Sequence, residues 1–339
     1  MTDAPVLFSE LPTRSGARIG VATLNAEKSL NSLTLEMIDL LAAKTRAWAE
    51  DPGIAFILLE GAGDRAFCAG ADLTRLYAAC LAHHASPQRD DLRANTYALD
   101  FFSREYRLDY FLHRYPKPVL AWGNGVVMGG GMGLLVGGIF LALTAAQLAA
   151  SDAIFAGLAD LAIEHAQKPA VLAALTAHEW HSEPARNHRD LTRLLHSFQF
   201  TPVHGPLRLQ LDAINAACGG ESVDEIVAGI NALAAHGEWF ERAATTLNAG
   251  SPTTAALSIA LQRRLKHCSL AEVFRAELVA SLNCCARSDL AEGIRALLID
   301  KDRMPRWQPA SVQDVTAAEI DCFFASPWPA DAHPLADLG

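Results

Sequence analysis

Apolar positions come in short runs through the first half of the chain and at helical spacing through most of the second. Residues 17–24 (Ala-Arg-Ile-Gly-Val-Ala-Thr-Leu) read as a strand that ends at Asn25. Residues 33–49 have helical apolar spacing, with Thr34 placed to cap the helix and Glu36 in its first turn. Residues 54–59 form a short apolar strand that leads into a glycine turn. Residues 92–114 alternate polar and apolar at helical intervals and carry Glu105, Tyr106 and Arg107. Residues 118–122 open the next strand, which runs into a triple glycine. This alternation predicts an α/β architecture for the first half. The second half, apart from residues 153–161, reads as helices, among them 223–235, 239–248, 253–266 and 270–286. Residues 182–190 are polar and read as a loop, and 327–339 read as a tail. The expected organisation is a core over 1–165, a mainly helical region over 166–326, and the tail.

Two turns stand out within that pattern, Phe67-Cys68-Ala69-Gly70-Ala71-Asp72 and Met128-Gly129-Gly130-Gly131-Met132-Gly133. Each follows a strand pattern and precedes a helical one. Small residues at such a junction leave backbone N–H groups pointing outward at the positive end of a helix, where they favour anions. Two such turns facing each other would make a two-donor oxyanion hole, suited to a carbonyl that becomes negatively charged during reaction.

Composition narrows the classes. The chain has 339 residues, 51% of them hydrophobic and 19% charged, as expected for a soluble globular protein with a sizeable core. A net charge of −10 argues against a nucleic-acid surface. The seven cysteines lack any C-x-x-C spacing, which suits a reducing compartment and gives no support for a metal site. No secretory leader pattern is visible at residues 1–18, so a cytoplasmic location is expected. From Pro118 to Ser151 there is no ionisable side chain. Residues 126–146 would span a bilayer by length, but glycines crowd them and no aromatic belt or basic flank marks an edge. A buried strand, a tight turn and a buried helix are expected there, with no membrane partner. His178-Glu179-Trp180-His181 lacks zincin spacing and reads as a polar helix end. Cys284-Cys285 reads as core packing on a helix. No serine nucleophile elbow is present.

Residues 24–33 (Leu-Asn-Ala-Glu-Lys-Ser-Leu-Asn-Ser-Leu), residues 65–72 and the glycines from Gly125 to Gly133 together resemble the enoyl-CoA hydratase/isomerase (crotonase) superfamily. Glu105-Tyr106-Arg107-Leu108, Ser251-Pro252-Thr253 and residues 292–302 and 305–310 are similar to the 3-hydroxyisobutyryl-CoA hydrolase branch. The resemblance implies a spiral of strand-strand-helix turns with a helical C-terminal region, and acyl-CoA as substrate. It also implies thioester hydrolysis within valine catabolism. Carried over, the oxyanion donors are the amides of Ala71 and Gly130, flanked by Gly70, Gly129 and Asp72, and Glu105 contacts substrate. No cofactor is implied, coenzyme A entering as part of the substrate, and a homo-oligomer is left open. Alternatives of another class are a non-catalytic acyl-CoA-binding protein and a hydratase/isomerase-type enzyme.

One departure is severe. After Gly138 the chain passes directly into Ile139-Phe140-Leu141-Ala142-Leu143-Thr144, which resembles the family's helix beyond its catalytic segment. The resemblance implies that on the order of 40 residues, close to one supersecondary unit, are absent. The family's catalytic glutamate and aspartate go with them. Glu164 lies outside any matching motif and reads as a surface carboxylate.

Overall fold

The computed structural model describes residues 4–128 and 138–339. Three strand-strand-helix passages follow one another. The first is β1 (Val6–Pro12), β2 (Arg18–Leu24) and α1 (Leu35–Glu50). The second is β3 (Ile54–Gly61), β4 (Ala66–Cys68), α2 (Leu73–His84) and α3 (Thr96–His113). The third is β5 (Val119–Trp122), β6 (Val126–Val127) and α4 (Gly138–Thr144). Four strands form a sheet in the order β1-β2-β3-β5, antiparallel at the β1 edge and parallel elsewhere, while β4 and β6 pair in parallel as a separate two-stranded sheet. The fold is therefore the α/β crotonase-like spiral expected, with a helical C-terminal region.

The chain divides into two compact units. The first comprises Met1–Asp72, Arg104–Gly130 and Leu161–Thr201, the second Leu73–Ser103, Gly131–Asp160 and Pro202–Gly339. This division runs differently from one drawn at residue 165, because the chain returns to the sheet after its second passage. In the first unit, β3 carries the continuous apolar run Ile54-Ala55-Phe56-Ile57-Leu58, the mark of a strand covered on both faces. Phe56 and Leu58 pack with Val171 and Leu175 of α6 (Lys168–Ala177) and Leu191 and Leu195 of α7 (Pro184–His196). Trp48 of α1 is buried against Gly20 of β2, where a Cβ would lie 2.7 Å from the indole. In the second unit, Phe140 and Leu143 join Ile214, Ile226, Ile230, Phe240, Leu247 and Ile259 in one helical core.

Several expectations are corrected. Residues 182–190 are not a loop, since α7 begins at Pro184 and buries Asn187, Leu191 and Leu195 at four-residue intervals. Residues 153–161, excepted from the helices, begin inside one: α5 (Ala150–Phe155) reaches Phe155, with Asp152 fully buried. Residues 327–339 are not a free tail. Leu335 and His333 are buried, and Arg275 donates to the carbonyls of Leu335 and Leu338 at 3.3 and 2.9 Å. The short strand β6 is half-exposed rather than buried. Among the described residues no helix is long and apolar enough to cross a membrane.

Candidate functional site

The first turn is held by the loop that precedes α1. Asn31 is buried and adopts a positive φ of 56°. Its amide donates to the carbonyls of Ala62 and Ala66 at 3.0 and 2.9 Å, and its oxygen accepts the Ala26 N–H at 2.9 Å. That clamp sets residues 30–33 alongside the turn. The Ala69 N–H then donates to Leu30 at 3.0 Å, the Leu33 N–H to Gly70 at 2.7 Å, and the Asp72 N–H to Leu33 at 2.9 Å. Gly70 takes a φ of +89°, which only glycine adopts without strain, and its N–H points at the Cys68 sulfur, 3.4 Å away. Of the four amides from Ala69 to Asp72, three are thus committed. The fourth, that of Ala71, has no hydrogen-bond partner among the described residues, although the residue is half-buried. An unpaired N–H at such a place is rare unless something else is meant to bind it.

The second turn starts from the same edge. β4 and β6 run parallel, with Cys68 opposite Val127, and the Met128 N–H donates to the Cys68 carbonyl at 3.0 Å. Gly125 makes this approach feasible: at φ +63° a Cβ there would lie 2.1 Å from the Arg65 carbonyl oxygen. The first turn therefore leaves the carboxyl end of β4, beside the carboxyl end of the parallel β6. Gly129 and Gly130, the expected partners of Gly70 and Ala71, lie outside the described residues.

The Cys68 thiol is buried, and burial pushes its pKa up, opposed by the Gly70 N–H and reinforced by the charges of Glu105 and Asp109. A raised thiol is a poor nucleophile. The two carboxylates sit four residues apart on α3, hence on one helix face. Glu105 was the carboxylate expected on α3; Asp109 was not anticipated, and its signal was the i,i+4 spacing. Asp72 leads into α2, where a carboxylate suits the positive helix end. Glu164 is exposed, ahead of a single helical turn. His178 caps the C-terminal end of α6. Among the described residues no group of three His, Cys, Asp or Glu could hold a metal ion.

A parallel strand pair whose first member ends in a small-residue turn with an unpaired amide is suited to stabilising an anion. A family model described as enoyl-CoA hydratase/isomerase matches residues 19–140 and 135–324, and the chain belongs to that family. It is 31% identical to 3-hydroxyisobutyryl-CoA hydrolase, mitochondrial, of Gallus gallus, over 90% of this chain and 86% of that one. The Xenopus tropicalis protein of the same name is also 31% identical, over 96% and 91%. Among solved structures, a carnitinyl-CoA dehydratase from Mycobacterium thermoresistibile superposes with a TM-score of 0.81 at 28% identity, covering 99% of each chain. An enoyl-CoA hydratase from Rhodobacter sphaeroides gives 0.76 at 26%, covering 96% of this chain and 98% of that one.

The same comparisons bear on the missing segment. The Gallus gallus alignment spans 349 positions but takes in 90% of 339 residues, about 305, so about 44 positions have no counterpart here. For Xenopus tropicalis, 368 positions over 96% of the chain leave about 43. The family match is itself split where its two pieces meet, at 135–140.

Proposed function

We propose that this chain binds an acyl-CoA thioester and hydrolyses it, with 3-hydroxyisobutyryl-CoA as the substrate its named relatives point to. The observation that carries the reading is the Ala71 amide, left unpaired in a turn whose other amides are all engaged. The thioester carbonyl would accept from the Ala71 and Gly130 N–H groups. Gly70 and Gly129 would keep the approach free of side chains, and Glu105 would contact the acyl group. No cofactor enters; coenzyme A is the leaving group. Preorganised donors of this kind contribute roughly 100- to 1,000-fold in rate. Loss of the family's acid–base pair costs about 100- to 10,000-fold, so turnover is expected to be slow.

Two variants test the donors. Ala71→Pro and Gly130→Pro each delete an N–H, and each should remove the affinity that a thioester has over free coenzyme A in calorimetry. Equal binding by variant and parent would take that residue out of the site. A hydratase/isomerase reading is favoured by the names of the two superposing structures. Water addition to an enoyl-CoA without release of free thiol would establish it. The non-catalytic reading is favoured by the absent segment, and thioester binding without any turnover would support it. All seven cysteines are free thiols, in keeping with a reducing compartment; the cytoplasm is the location proposed, whereas the relatives are named as mitochondrial. Fractionation of cells separates the two.

A further inference from the structure

We propose that the second unit carries a binding site of its own, separate from the turn at Ala71, for a phosphate monoester of a small hydroxylated molecule, held by Arg287 and Arg89.

The site is a surface cavity of about 830 Å³, a volume within the range of small-molecule sites. The connection between α2 and α3 lines it with Arg89, Asp90, Asp91 and Arg93. The end of the helix Leu270–Ala286 lines it with Asn283 and, just beyond, Arg287. All six residues belong to the second unit.

Arg287 is fixed in place without being neutralised. Its Nη1 donates to the Asn283 side-chain oxygen at 2.9 Å, and its guanidinium carbon lies 4.1 Å from the centroid of the Phe323 ring. Asn283 and Phe323 are 5% and 2% exposed, so both supports are set in the packed interior. The Asn283 amide donates in turn to the Val279 carbonyl at 3.0 Å. A guanidinium has several further N–H donors, and this one has no carboxylate in ion-pair contact among the described residues. Glu319, held low in pKa chiefly by its bonds to the Thr316 amide and hydroxyl and further by the Arg287 charge, makes no ion pair with it. A buried asparagine whose oxygen is spent on orienting an unpaired cation marks a group kept for an anion.

The rest of the lining selects the ligand. Arg93 forks onto Asp91 at 2.8 and 3.0 Å, which closes that pair. The exposed Arg89 and Asp90 side chains have no partner among the described residues. The cavity thus keeps two unpaired guanidinium groups and one unpaired carboxylate. Guanidinium groups suit a phosphate, whose oxygens accept paired N–H donors. The Asp90 carboxylate only accepts, so it suits a hydroxyl group carried on the same ligand.

Calorimetry on the full chain with ribose 5-phosphate, inorganic phosphate and ribose tests the site. Ribose 5-phosphate should bind saturably and ribose should not. R287A and R89A should each weaken the phosphate ligands about tenfold or more. R242A removes the same charge from an exposed position elsewhere in the second unit and should bind as the parent does. R89A, at an exposed position, keeps the test decisive if R287A perturbs folding. Tighter binding of ribose 5-phosphate than of inorganic phosphate supports the ester; equal binding assigns the site to free phosphate and overturns the hydroxylated ligand. No saturable binding of either by the parent, or an equal loss in R242A, overturns the site. Binding of a non-hydrolysable thioether analogue of acyl-CoA should be unchanged in R287A. A matching loss there would give the cavity to the phosphates of coenzyme A and overturn a second site.

Discussion

Two parts of this molecule handle polar groups in opposite ways. In the segment from Asp289 to Gln308, each polar group named here finds a partner. Arg295 forks onto Glu292 at 2.9 and 2.8 Å and reaches Asp300 and Asp302 at 2.6 and 2.7 Å. Glu292 also accepts the Arg306 N–H at 2.8 Å, and Asp289 accepts from Ser251 and Gln308. Around the turn at Gly70, the scaffold is as fully bonded, but the Ala71 amide is left over. The pKa values record the contrast. The Arg295 guanidinium holds Glu292 down to about 2, while desolvation by the surrounding protein raises the solvent-reached, unpaired Asp109 to about 6. Complete pairing closes a loop. Incomplete pairing, on an otherwise paired scaffold, marks groups kept for a ligand.

The largest effect should come from breaking the paired scaffold under the site. Asn31→Ala orphans the Ala62 and Ala66 carbonyls and frees residues 30–33, so stability should fall by about 1–3 kcal/mol and thioester affinity with it. Chemical denaturation and calorimetry on the same protein check this; loss of neither would show that the turn holds without Asn31. A smaller effect of one sign is expected at the closed loop. The folded pKa of Glu292 lies below its unfolded value of about 4.3, so its contribution is present at neutral pH and fades as pH falls toward 2. E292Q should lower Tm at pH 7, and the deficit should shrink below pH 4. A still smaller effect of the opposite sign is expected at Asp109. Its folded pKa lies above the unfolded value of about 3.9, so the carboxylate weakens the fold as pH rises from 4 through 6. D109N should therefore raise Tm modestly above pH 6 and leave it unchanged below pH 4. The same sign for both variants at pH 7 would erase the contrast. E164Q, at an exposed position, should change neither Tm nor thiol release.

Much of this was readable in the sequence, for identifiable reasons. Thr34 does cap α1, its hydroxyl accepting the Met37 N–H at 3.2 Å, because a β-region cap followed by periodic apolar residues is a local signal. The helix read over 270–286 runs from Leu270 to Ala286, opened by a capping box of Ser269 and Glu272. β1 was missed because its side chains are mostly half-exposed and only pairing with β2 defines it. α7 was missed because its polar first turn hides a period that emerges only with Leu191 and Leu195. At the site, the glycine turn and the approach of residues 24–33 were legible as small residues in a fixed order. The Asn31 clamp was not, since its partners at Ala62 and Ala66 are tertiary contacts that spacing alone does not carry.

The central claim is an acyl-CoA site that works without the family's catalytic segment. Its most direct test is free-thiol release from 3-hydroxyisobutyryl-CoA by a preparation whose intact mass matches the 36.4 kDa of these 339 residues. The account predicts saturable release that is slower than that of a full-length relative by about 100-fold or more, the family's acid–base pair being absent. Release at the relative's full rate from protein of that mass would contradict it.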